Sequence, residues 1–162
     1  MPHFTPAQDA TSVAAPSPAT TFNDEAPLDP QCKAFIETMA QSKGETWEQM
    51  GPVKAREVFN SLKQVFGEGP QDVIVEDRKL QDRFGVRIYK PTKPADEASP
   101  LPVVVYFHGG GWVLGNLDTH DALCRRICSK ASCAVVAVDY RLAPEHPFPA
   151  PLNDCYGAFK YV

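Results

Sequence analysis

The chain has 162 residues, a formal net charge of −4, 43% hydrophobic and 22% charged residues, the make-up of a globular protein with a core of its own. Its basic residues are scattered, with no stripe interleaved with aromatics, which excludes a nucleic-acid partner. No apolar run approaches the ~20 residues that a membrane span needs.

Residues 1–27 are rich in Pro, Ala, Thr and Ser without apolar periodicity, and read as a disordered tail. They lack the charged start and apolar stretch of a secretory signal, so a cytoplasmic location is expected. Asp29-Pro30 opens a helix: Asp caps, and Pro suits a first turn whose N–H is unpaired anyway. Phe35, Ile36 and Met39 recur there at helical spacing, and Gly44 closes it. A second helix is expected from about Pro52 to Phe66, with Val53, Val58, Phe59, Leu62, Val65 and Phe66 as its stripe and Gly67 and Gly69 beyond it.

The period then drops to two. Val73–Asp77 and Phe84–Tyr89 alternate like half-buried strands. A polar, Pro-rich connection, Pro91 to Pro102, leads into the apolar run Val103–Phe107, which is matched by Ala134–Val138. Runs without alternation suit strands covered on both faces of a parallel sheet. Between them, Asp118–Lys130 reads as a helix with Leu123, Ile127 and the cysteines inward. Asn153–Val162 begins another, with Leu152, Tyr156, Phe159 and Val162 on one face. The class is α/β, a mostly parallel sheet with flanking helices. The five cysteines, Cys32, Cys124, Cys128, Cys133 and Cys155, show neither a disulfide framework nor zinc-like spacing. They are expected to be reduced and mostly buried, with no metal and no cofactor.

The chemistry concentrates where the first apolar run ends, at His108-Gly109-Gly110-Gly111-Trp112. Consecutive glycines permit positive φ and leave backbone N–H groups uncrowded. At the C-terminal end of a central strand such a turn faces the ligand crevice of an open sheet and suits an anion or a developing negative charge. A dinucleotide fingerprint would need a third glycine where Leu114 stands, and a phosphate loop a following Lys-Ser/Thr. What remains is the oxyanion loop of an acyl-transfer enzyme.

Three stretches carry a resemblance to the hormone-sensitive-lipase-like family of α/β hydrolases: Val104 to Trp112; Asn116 with Thr119-His120; and Asp139-Tyr140-Arg141-Leu142-Ala143-Pro144-Glu145-His146-Pro147-Phe148-Pro149-Ala150, followed by Asp154. The resemblance covers roughly residues 70–162. It implies the N-terminal half of an α/β-hydrolase fold, preceded by lid helices, in a hydrolase of small carboxylic esters. Residues 1–27 are then the tail, 28–69 a helical lid segment and 70–162 the hydrolase core. The resemblance assigns Gly110 and Gly111 as oxyanion N–H donors, with Gly109 and Trp112 beside the substrate. His108 belongs to the family motif and is read as shaping the loop. Asn116 and His120 are read as fixing the loop to the next helix, and Asp139, Arg141 and Glu145 as holding it from below through ion pairs.

The family's nucleophile sits in G-x-S-x-G. Serines stand here at 12, 17, 42, 61, 99, 129 and 132, none in that context, and the triad's acid and histidine come later still in the fold's order. The chain is therefore read as an N-terminal portion, inactive by itself. The strand Val103–Phe107, which in the family lies against the nucleophile strand, is expected to form an exposed apolar edge prone to self-association. The alternative is a non-catalytic small-molecule-binding module or a decoy of a full-length partner.

Overall fold

The computed structural model describes residues 27–41, 44–80, 82–93 and 99–162. All of the expected tail but Pro27 lies outside them, as does part of the Pro91–Pro102 connection. Helix α1 (Pro30–Gln41) starts as the sequence indicates, with the Gln31 N–H donating to Asp29 Oδ1 at 2.8 Å. It belongs to a unit ending at Gly44, and residues 45–162 form a second compact unit.

Within that second unit, helix α2 (Trp47–Ser61) begins a turn earlier than expected. Thr46 and Gln49 make a reciprocal capping box that opens a first turn. Gly51 then breaks the spiral at φ +67°, and Pro52 restarts it at the expected position. A short helix α3 (Lys63–Phe66) follows.

Strands β1 (Val73–Leu80) and β2 (Phe84–Pro91) form an antiparallel hairpin in register from Val73 opposite Pro91 to Leu80 opposite Phe84. β3 (Val103–Phe107), helix α4 (Asp121–Ala131) and β4 (Ala134–Asp139) form the crossover unit, with β3 and β4 parallel. The order among the described strands is β1-β2-β4-β3. The described part of the sheet is mixed: a tight turn reverses the chain after β1, β2 then docks antiparallel on β4, and β4 runs parallel to β3. Helix α5 (Ala150–Tyr161) closes the chain.

Both faces of the sheet are covered. Val86, Ile88, Val136, Val138 and Tyr140 cluster with Ala158 of α5, while Tyr89, Val135 and Ala137 cluster with Cys124 and Cys128 of α4. The two periodicities of β4 therefore feed opposite layers, and its continuous apolar run follows from that. Full burial of a valine contributes about 1.5–3 kcal/mol, so β4, with Val135 and Val138 wholly enclosed, anchors the unit.

Val103, Val104 and Phe107 are exposed, the exposure expected of an edge, and β3 has β4 as its one neighbour among the described strands. Two expectations are corrected. Leu123 faces out, since it lies about 100° around the helix from Cys124, which with Cys128 defines the buried face of α4. The stripe Leu152, Tyr156, Phe159 and Val162 is exposed too. The ion pairs of Asp154 turn α5 so that Pro151, Asp154 and Ala158 face inward. Among the described residues no helix is long and apolar enough to cross a membrane.

Candidate active-site loop

Adjacent parallel strands end at the same edge, so the loops after β3 and β4 meet above the sheet. The first carries the glycines. Gly110 O accepts from Val113 N–H at 3.1 Å and Leu114 N–H at 2.8 Å, folding residues 110–114 into one turn. Gly110, Gly111 and Trp112 all have positive φ, +130°, +60° and +61°. A side chain at Gly110 would run into the Leu114 carbonyl, and one at Gly115 would come within 2.6 Å of His108 Nδ1, so the loop closes only on glycine at both places. Among the described residues no acceptor meets the N–H of Gly109, Gly110 or Gly111.

His108 lies beneath this turn, buried at 6% exposure. Its Nδ1 is 2.8 Å from the Gly109 carbonyl oxygen, which fixes the Nδ1–H tautomer. The Tyr140 hydroxyl donates to His108 O at 2.6 Å. The imidazole stacks on Tyr140 at 4.2 Å and on His120 at 5.4 Å. Burial lowers the His108 pKa, so the ring is neutral at pH 7. Its Nε2 is enclosed and meets no partner among the described residues. No carboxylate among the described residues touches the ring.

The turn opens into a crevice of about 930 Å³ lined by the glycines, Phe107, Tyr140, Ala143, Phe148, Pro151, Leu152 and Cys155, with no charged side chain. Trp112 and Phe148 stand at its rim, 66% and 82% exposed. Burial pushes the Cys155 thiol up to about 11, so that group is uncharged too.

The supporting residues fall into place unevenly. Asn116 and Thr119 bond reciprocally, Asn116 N–H to Thr119 Oγ1 at 3.0 Å and Thr119 N–H to Asn116 Oδ1 at 2.9 Å. Asn116 Nδ2 also donates to Asn60 Oδ1 of α2 at 3.2 Å. His120 Nδ1 lies 2.9 Å from Thr119 Oγ1, and its ring contacts His108, Tyr106 and Phe59. Arg141 holds the enclosed Asp154 three times, Nε to Oδ2 at 2.8 Å, Nη2 to Oδ1 at 3.0 Å and backbone N–H to Oδ2 at 3.1 Å, and Arg83 joins at 3.0 Å. Burial pushes the Asp154 carboxyl up, but the hydrogen bonds and charges of the two arginines outweigh it and leave its pKa lowered.

Asp139 corrects the sequence reading: it is exposed and joins no ion pair among the described residues. Its place is beside Asn116, Arg141 and Glu145 around a second hollow. Glu145 does pair, with a residue the sequence reading did not single out. Arg56 of α2 meets both its carboxylate oxygens at 2.7 Å. The same guanidinium donates to Val113 O at 2.8 Å and Ala143 O at 2.7 Å. The available signal was an arginine beside Ala55, the buried residue of α2, together with a glutamate needing a partner. Hydrogen bonding from Arg56 lowers the Glu145 pKa to about 2.

Residues 104–162 match the family described as alpha/beta hydrolase fold. The chain is 55% identical over 79 residues to the esterase LipI of Mycobacterium tuberculosis, covering 49% of this chain and 24% of that protein. It is 35% identical over 141 residues to an arylesterase of Saccharolobus solfataricus, covering 84% and 44%. A hyperthermophilic esterase from the archaeon Pyrobaculum calidifontis superposes with a TM-score of 0.71 at 36% identity, covering 84% of this chain and 44% of that one. The chain thus spans from 24% to 44% of the length of these relatives.

Proposed function

We propose that the chain is part of an esterase of the α/β-hydrolase fold family, whose model matches residues 104–162, and that its glycine loop is the oxyanion hole of a carboxylic ester hydrolase. One observation carries the reading: two consecutive glycine N–H groups, Gly110 and Gly111, without acceptors among the described residues, at the mouth of an apolar crevice. In acyl transfer the carbonyl oxygen of the ester gains negative charge as a nucleophile adds, and donors fixed in advance stabilise it without reorganising. Gly109 and Trp112 flank the bound ester. His108, Asn116 and His120 hold the loop's shape, while Arg141 and Glu145 brace the loop after β4. The uncharged lining suits an ester with apolar acyl or alcohol groups. Helix α2 is read as part of the lid segment, residues 28–69, and residues 70–162 as the core. The unpaired thiols fit a reducing, cytoplasmic setting.

Hydrolysis in this family type proceeds by acylating a serine and releasing the acyl group to water. The 162 residues contain no G-x-S-x-G, and loss of triad members costs 10⁴-fold or more. By themselves these residues therefore turn over no ester. The test is p-nitrophenyl acetate hydrolysis by the purified chain and by Gly111→Ala. Background rates from both agree with the inactivity of these residues by themselves, whereas turnover abolished by the substitution sinks that inactivity and supports the oxyanion hole.

The open edge of β3 favours a second property. Unpaired backbone groups beside exposed Val103, Val104 and Phe107 form a template for another strand. We read self-association through this edge as the chain's behaviour in isolation. Light scattering across a concentration series tests it.

A further inference from the structure

Arg56 lies before the sheet in sequence, yet its guanidinium ends between the two loops that flank the crevice. Its Nε holds Val113 O, one Nη2 proton holds Ala143 O, and the remaining contacts go to both oxygens of Glu145. The Ala143 N–H donates directly to Trp112 O at 2.9 Å. Together these close a ring: Trp112 to Ala143 by the backbone, Ala143 to Arg56, Arg56 to Val113, and Val113 back to Trp112 by the chain. Val113 is gripped from both sides, since its N–H donates to Gly110 O while its carbonyl meets Arg56.

We infer that Arg56 is a positioning residue of the glycine loop, which by joining Val113 O to Ala143 O sets the direction of the Gly110 and Gly111 N–H groups. The inference rests on the oxyanion-hole reading and extends it to a residue of helix α2. Gly110 to Leu114 is one turn, so rotating the peptide after Val113 turns the whole loop. A planar guanidinium can serve two carbonyls and a bidentate carboxylate at fixed angles, whereas an ammonium cannot. Glu145 takes the outer face of the fork and keeps the inner donors aimed at the two carbonyls. Motion of α2 is thereby transmitted to the oxyanion donors.

The test uses ¹⁵N-labelled chain as wild type, Arg56→Lys, Arg56→Ala and Glu145→Gln. It reads the Gly110 and Gly111 amide resonances with and without methylphosphonate as the oxyanion stand-in. Arg56→Lys and Arg56→Ala are expected to displace both glycine resonances and weaken methylphosphonate binding several-fold, while Val75 and Ile88 in the β1–β2 hairpin stay in place. Glu145→Gln should fall between them and wild type. Should Arg56→Ala fail to fold, Arg56→Lys and Glu145→Gln carry the comparison. Glycine resonances unmoved in the Arg56 variants, with wild-type affinity for the probe, would overturn the inference and leave the oxyanion-hole reading intact. Wild-type glycine amides that ignore the probe while the variants displace them would remove that reading and keep Arg56 as a positioning residue.

Discussion

The Tyr140 hydroxyl donates to the carbonyl oxygen of His108 at 2.6 Å, and the two rings stack with centroids 4.2 Å apart. This contact locks the end of β4 to the end of β3 directly beneath the glycine turn. It also satisfies the carbonyl of a buried residue. Tyr140→Phe keeps the stacking and removes only the donor. Leaving a buried acceptor unpaired costs about 1–3 kcal/mol, so the urea midpoint should fall accordingly, with faster amide exchange at Gly109 to Gly111. An unchanged midpoint would show that the hydroxyl bears no part of the loop's stability.

The glycines differ in what they require. At Gly110 a methyl group meets the Leu114 carbonyl, whereas at Gly111 nothing lies within 4 Å and only the left-handed φ opposes a side chain. Gly111→Ala should therefore cost about 1–2 kcal/mol, the ordinary penalty for that backbone region. Gly110→Ala should cost clearly more and break the turn. Equal losses in thermal melts would contradict the loop geometry.

Acid should destabilise the chain in two stages. His108 and His120 have lowered pKa values because burial disfavours the imidazolium. The unfolded chain thus takes up protons first, and stability declines as pH falls below the free-histidine value of about 6.5 until the folded values are passed. The Asp154 pKa is lowered by its arginines, and Arg56 lowers that of Glu145 to about 2. Their contribution is complete above the unfolded carboxyl value of about 4 and is lost as pH falls through the folded values. Melting temperatures from pH 8 to pH 2 should show both declines, and Asp154→Asn should flatten the lower one alone.

Thiol chemistry should distinguish surface from core. Burial raises the pKa of Cys124 to about 12 and of Cys128 to about 11, and Cys133 is enclosed as well. Cys32 is exposed. A native chain titrated with a disulfide reagent at pH 8 should give one fast thiol, with all five reacting only after unfolding. Fast reaction at Cys124 or Cys128 would show that α4 does not stay docked.

If the β3 edge drives self-association, a charge there should suppress it. Val104→Lys places an ammonium on the exposed edge and should shift light scattering toward monomer without lowering the melting temperature. Unchanged association would place the contact elsewhere.

Much of this was legible in the amino-acid order. Alternation marked the β1–β2 hairpin, and the unbroken apolar run of β4 marked a strand that feeds two layers. The Gly110–Gly111 pair announced a turn at positive φ, because no other residue type supplies that conformation so readily. These are local properties, set by φ preferences and by the periods of helix and strand, and they survive without knowledge of neighbours. Partnership was a different matter. The sequence could not say that Glu145 meets Arg56 from 89 positions away, that Asp139 joins no ion pair among the described residues, or that the α5 stripe of Leu152, Tyr156 and Phe159 faces out. An ion pair depends on which side chains the packed layers bring within a few ångströms, and burial depends on which faces find a neighbour. Only the assembled sheet, with α2 laid across its loops, decides either.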